Sequence, residues 1–196
     1  MEQPLKICCV TGHRPQGFPW EYTRDPADLY ASYYQFVMER EVENLIKEGY
    51  NYFICGGACG VDMDFADAVL FLKERRYPHI QLEIAIPCPE QDKYWSETDK
   101  LFYKDILAQA DKKVLVSEKP SRFCFHKRNQ YMVDKSDFVL VFWNEKEKGG
   151  TYSTYKYAQK KGKKIKCHLL HRFPVFAEAE RACQKRLLKM FKENRK

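Results

Sequence analysis

Residues 52–65 read YFICGGACGVDMDF, and this stretch decides the fold. Four apolar residues run without alternation into Gly56-Gly57. A run that short and that continuous marks a strand buried on both faces and then broken. From Val61 the period changes, and Val61, Phe65, Ala68 and Leu72 fall on one stripe at helical spacing. Asp62 and Asp64 stand in the first turn of that helix, where its dipole favours carboxylates. Strand, glycine loop and helix start in immediate succession make the unit from which parallel sheets are built.

Five further runs of the same kind flank it: Leu5–Val10, Leu82–Ile86, Val114–Val116, Phe138–Trp143 and Ile165–Leu170. Helical segments lie between them. Asp25 with Pro26 reads as an N-cap followed by proline at the first helical position, opening a helix with the stripe Met38, Val42, Leu45 and Ile46 that stops at Gly49. Ser96 and Asp99 read as a capping box before a helix to about Gln109, and residues 123–135 and 151–161 supply two more. After Pro174 a last helix carries Phe176, Ala179, Cys183, Leu187 and Met190 at helical spacing, expected to pack on the sheet edge with its basic side chains outward. The expected architecture is α/β: a three-layer Rossmann-like fold with a mostly parallel six-stranded sheet and helices on both faces, formed by residues 1–196 as one domain.

No apolar run approaches the ~20 residues of a membrane span. Met1 leads directly towards a strand without a basic leader, so a cytoplasmic location is expected. The eight cysteines sit largely in or beside apolar runs and read as reduced, buried thiols. Cys55/Cys59 and Cys124/His126 match no usual zinc spacing, so neither a metal nor a cofactor is expected. The net charge of +7 is uneven: residues 160–196 hold thirteen Lys or Arg against three Glu, which places the excess in the tail. The basic helix 173–196 suits a solvated face and, alternatively, contact with nucleic acid.

In an open parallel sheet, ligands sit outside the carboxyl ends of the strands. The first strand is followed there by Gly12, His13 and Arg14, where glycine permits close approach and the arginine fork suits phosphate. The second is followed by Gly56, Gly57 and Gly60 before a helix start, a phosphate-cradle pattern that is neither the dinucleotide fingerprint nor a Walker loop. Asp62 would repel a phosphate but can accept hydrogen bonds from ribose or base. Tyr94 and Trp95, after the third strand, are an aromatic pair able to stack on a base or simply to pack. Arg128 and Asn129 lie on the helix after the fourth strand, overhanging the same cleft. Gly149, Gly150 and Thr151 open the helix after the fifth, a second anion site with a hydroxyl donor. Together these loops point to a phosphorylated ligand.

These residues, with the Pro87 loop carrying Gln91 and Trp95 and with Arg128-Asn129-Gln130 and Asp134-Lys135-Ser136-Asp137, resemble the SLOG superfamily over residues 11 to about 160, closest to its YpsA-like branch. That group includes the DNA-processing protein DprA and the LOG phosphoribohydrolases. The resemblance implies a nucleotide-derived ligand and a bacterial or phage setting. In LOG enzymes an arginine, matched here by Arg128, works with a glutamate three residues beyond the threonine; here that position is Thr154. A hydroxyl cannot replace the carboxylate in acid–base work.

The first expectation is therefore a sensing or regulatory binder of a nucleotide such as NAD or an ADP-ribose-like ligand. The alternatives are an N-glycoside hydrolase of nucleoside monophosphates using Arg128 and Asp62, and a DprA-like single-stranded DNA binder. A homodimer is left open.

Overall fold

The structure is a computed structural model that describes residues 4–193; in the last helix the side chains of Cys183 and of residues 186–193 lie outside the described ones. The elements, in chain order, are β1 (Ile7–Gly12), α1 (Leu29–Lys47), β2 (Tyr52–Cys55), α2 (Val61–Arg75), β3 (Gln81–Ile86), α3 (Glu97–Gln109), β4 (Lys112–Leu115), α4 (Cys124–Lys135), β5 (Phe138–Trp143), α5 (Gly149–Lys160), β6 (Lys164–Leu169) and α6 (Phe173–Glu193). All strand pairs are parallel, in the order β4-β3-β2-β1-β5-β6. The result is a three-layer α/β fold of the Rossmann-like type.

Each central strand feeds two cores, which is why its sequence does not alternate. Cys8, Val10, Phe53, Leu82, Leu140 and Phe142 face one layer and pack with Met38 and Val42 of α1, Phe65 of α2, Ile106 of α3 and Phe173 of α6. Cys9, Ile54, Ala85, Val139 and Val141 face the other, with Met132 and Val133 of α4 and Ala158 of α5. A buried carboxylate, Glu83, sits on that second side and is held by the hydroxyls of Tyr52 at 2.5 Å and Tyr131 at 2.6 Å. Six of the described cysteines are buried free thiols and Cys167 is exposed. Burial pushes the Cys9 thiol up to about 12, which keeps it protonated and inert.

Four expectations need correction. First, α1 starts at Leu29 and its N-cap is Asp28, whose carboxylate accepts from the Ala31 N–H at 2.8 Å. Asp25 instead closes a turn: it accepts from the Ala27 N–H at 2.9 Å, with Pro26 at the second position where its fixed φ belongs. Second, β1 starts at Ile7 and extends to Thr11 and Gly12, which pair with Val141 and Phe142 of β5. Third, β4 lies two residues earlier than its apolar run, because Lys112 and Lys113 occupy a sheet edge where only one face needs apolar cover. Fourth, α6 buries Phe173 and Ala177 and leaves Phe176 and Ala179 exposed. Its register is set by Phe173, which joins Trp20, Tyr33, Tyr34 and Phe142 in an aromatic cluster against α1 rather than at the sheet edge. Arg181 and Lys185 point to solvent, while Cys183, Leu187 and Met190 fall outside the described side chains.

No helix among the described residues is long and apolar enough to cross a membrane. The chain order of the strands reverses at β1: β2, β3 and β4 lie to one side of it, β5 and β6 to the other. This is the switch point at which such sheets open a crevice.

Candidate functional site

A cleft of about 440 Å³ opens at that switch point, walled by the end of β1, the start of α2, one face of α4 and the start of α5. Its floor depends on two tight glycines. Gly12 lies so close to α2 that an added Cβ would stand 2.4 Å from a methyl of Val61. Gly60, with φ +89°, lets the loop after β1 cross over it, where a Cβ would meet the His13 carbonyl at 2.5 Å.

Arg128 reaches into this floor from α4 and is 95% buried, leaving 5% exposed. Its guanidinium occupies the space that a side chain at residue 56 would need: a Cβ on Gly56 would be 0.8 Å from Nη1. Nη1 donates to Asp62 Oδ2 at 2.8 Å, while Nε is buried with no partner. His13 Nε2 is buried and unpartnered in the same way. Burial, reinforced by the charge of Lys146, holds the His13 imidazole below its ordinary range, so the ring is neutral at pH 7. Arg14 is exposed at the rim, with its guanidinium 5.6 Å from the centre of the Phe125 ring.

The far wall is the start of α5. Its N-cap, Lys148, is extended and offers no side-chain acceptor, so the first-turn N–H groups are left for water or a ligand. The Thr151 hydroxyl donates to the Gly12 carbonyl at 2.8 Å and ties α5 to β1. Thr154 is buried and fully engaged, accepting from Asn129 Nδ2 at 2.8 Å and donating to the Gly150 carbonyl at 2.7 Å. Electrostatically the cleft is cationic: two arginines and a helix start face Asp62, the one carboxylate among its described lining residues.

Of the residues expected at the site, Gly12, His13, Arg14, Asp62, Arg128, Asn129, Gly150 and Thr151 line one cleft. Gly56, Gly57, Gly60 and Gly149 do not. The first of these makes room for Arg128, Gly57 (φ +61°) for Tyr103, and Gly60 for the chain crossing. The phosphate cradle expected at α2 is filled from within, because the Val61 N–H already donates to the His13 carbonyl at 3.2 Å. The hydroxyl of Thr151, expected to meet the anion, is committed to Gly12. Asp64 faces away, taking the Tyr22 hydroxyl at 2.6 Å and Arg24 Nε at 3.2 Å; its burial pushes its carboxyl up to about 6. Tyr94 projects into solvent and Trp95 packs edge-on against Tyr103, so neither reaches the cleft. Gln91 braces the floor from outside, donating to the Gly56 carbonyl at 3.3 Å and the Tyr103 hydroxyl at 2.6 Å.

Phe125, Met132 and Gln16 also line the cleft and were not picked out from the sequence. For Phe125 and Met132 a signal existed. Phe125, Arg128, Asn129 and Met132 stand at i, i+3, i+4 and i+7, so they share the one face of α4 that borders the cleft.

Comparison with known proteins agrees with this architecture. The profile of the YspA SLOG family matches residues 8–173. UPF0398 protein YpsA of Bacillus subtilis is 29% identical over 147 residues, covering 74% of this chain and 79% of its own length. A UPF0398 protein of Halalkalibacterium halodurans is 36% identical over 132 residues, covering 66% and 69%. The SPbeta prophage-derived protein YoqJ of Bacillus subtilis is 39% identical over 132 residues, covering 61% and 76%.

Proposed function

The chain belongs to the YspA SLOG family, and we propose that it binds a phosphorylated nucleotide-type ligand, such as NAD or ADP-ribose, without cleaving it. The observation that carries this reading is Arg128: a buried guanidinium with a free Nε, beside the uncapped start of α5. A buried donor without a partner costs about 1–3 kcal/mol, which an anionic oxygen would recover. The phosphate belongs between Arg128 and the α5 start, with Arg14 at the rim and Phe125 offering a face for a base.

Binding without cleavage follows from the acid–base inventory. Thr154 spends its hydroxyl on Gly150 and Asn129. Asp62 spends Oδ2 on Arg128 and, more weakly, on the Ala58 N–H at 3.4 Å. The one carboxylate among the described lining residues is thus held as the partner of a buried guanidinium, which disfavours it as the base that would activate a water on a glycosidic bond. A cleft that holds a nucleotide intact suits a sensing or regulatory role.

The test is thermal unfolding of the wild type and of Arg128→Met with NAD, ADP-ribose and nucleoside monophosphates, followed by chromatography for released base. A ligand at a hundredfold its Kd adds about 2.7 kcal/mol to the wild type, and the variant should show no shift. No shift with any nucleotide would overturn binding, and release of free base would replace it with hydrolysis.

A further inference from the structure

Cys88 and Cys124 come from segments 36 residues apart and meet with their sulfurs 3.2 Å from one another. Cys88 lies just after β3, between two prolines, and Cys124 is the first residue of α4. Both are buried, yet residues 89 and 90 on one side and 121–123 on the other are exposed, so only a thin layer of loop separates the thiols from solvent. We propose that Cys88 and Cys124 are a redox couple that closes an intramolecular disulfide when the protein meets a peroxide, stapling the loop after β3 to the first turn of α4.

The chemistry distinguishes the two sulfurs. Burial raises the Cys124 thiol, but hydrogen bonds from the backbone at Ser121 and Phe125 and from Cys88 outweigh it and set this thiol below its ordinary range. Cys88, by contrast, is pushed up to about 11 by burial and by its partner. Cys124 is therefore the nucleophile and Cys88 the resolving thiol. The Cys124 thiolate attacks one oxygen of the peroxide and the O–O bond breaks. For hydrogen peroxide, the departing hydroxide takes a proton and leaves as water. The Cys88 sulfur then attacks the resulting sulfenic acid, the S–O bond breaks, and the oxygen departs as a second water with the Cys88 proton. Two thiols lose two electrons and one peroxide is reduced to two waters.

Among the described residues, the hydrogen bonds hold no other cysteine pair with its sulfurs in contact. Cys8 and Cys9 are adjacent in a strand and point to opposite faces, and the exposed Cys167 sits on the edge strand β6. The staple also has a target. Arg128 stands one turn beyond Cys124, and Gln91, three residues beyond Cys88, holds the carbonyl of Gly56, whose missing side chain leaves the space that arginine fills.

The full-length reduced protein is treated with hydrogen peroxide, alkylated after unfolding and mapped by peptide mass spectrometry. The expected product is a single peptide pair joined through Cys88 and Cys124, with a loss of two hydrogens, formed before Cys167 is modified. Cys88→Ser should stop at a sulfenic acid on Cys124 that a 1,3-dione traps, and Cys124→Ser should give neither product. Circular dichroism on both variants confirms that they fold. Closing a loop of this length should also raise the melting temperature by roughly 5–15 °C, a gain that reductant reverses. Recovery of Cys88 and Cys124 as alkylatable thiols while Cys167 is oxidised would overturn the proposal, and so would a disulfide to any other cysteine.

Discussion

At position 56 a methyl group and a guanidinium compete for one space. Gly56→Ala would place its Cβ where Arg128 Nη1 now lies, so the arginine must leave and Asp62 loses its buried partner. The expected cost is about 3 kcal/mol in urea unfolding, together with loss of nucleotide binding; an unchanged midpoint would show that Arg128 has a second seat. His13 makes a different prediction. Its imidazole is held neutral by burial and by Lys146, whereas a bound anion favours the imidazolium. Affinity for a ligand whose own charge is constant between pH 5 and 8, such as ADP-ribose, should therefore rise as pH falls. The ceiling is about tenfold for each unit by which the ligand raises the His13 pKa. Titration calorimetry at pH 8 and pH 6 measures it, and His13→Asn should flatten the profile.

At the scale of elements, the cleft is held together by a few cross-braces rather than by the glycines alone. The Thr151 hydroxyl joins α5 to the end of β1 through the Gly12 carbonyl. Thr151→Val keeps the shape and removes that bond at a cost of about 1 kcal/mol; hydrogen exchange should show the first turn of α5 opening before the rest of the sheet. The elements themselves were largely legible in the chain. Unbroken apolar runs such as Phe138–Trp143 located the strands, and the period change at Val61 located a helix start, because burial on two faces and on one stripe leave different marks. What failed was chosen by tertiary contact. Asp25 and Asp28 are both good caps, and a turn through Pro26 gave the helix to the second. Phe173 and Phe176 are both good anchors, and the aromatic cluster under α1 took the first. The residues that line the cleft were legible for the same reason the strands were, since they follow strand ends. Which N–H groups are already spent, as at Val61, depends on a chain crossing that no local pattern records.

For the molecule as a whole, two buried carboxylates shape stability against pH in opposite senses. Burial raises the Asp64 carboxyl to about 6, so its contribution is present at low pH and is lost as pH rises through about 6. Burial also acts to raise the Glu41 carboxyl, but its bonds to His168 and Lys166 of β6 outweigh that and hold it at about 2. Its contribution is present above the ordinary glutamate value and is lost as pH falls through about 2. Each is worth about 3 kcal/mol at most. Together they should give a stability maximum on the acid side of neutrality. Urea unfolding from pH 3 to pH 8 should show it, with Asp64→Asn removing the decline between about pH 4 and pH 6 and Glu41→Gln the decline below pH 4. A curve for Asp64→Asn that still falls between pH 4 and pH 6 would assign that slope to other groups.

If the cleft takes the proposed nucleotide, the contact between Asp62 and Arg128 also sets how much of it is needed for occupancy. Asp62 already sits on Arg128 Nη1 as a resident anion, so a phosphate approaching the arginine meets like charge from an incumbent that cannot diffuse away. On the proposed reading that incumbent would act as a set point: occupancy would begin only at concentrations high enough to overcome it. Asp62→Asn should lower this threshold, tightening ADP-ribose binding in calorimetry by roughly tenfold, about 1.4 kcal/mol, while leaving the stoichiometry unchanged. Weaker binding in that variant would mean that Asp62 holds the ligand rather than resisting it.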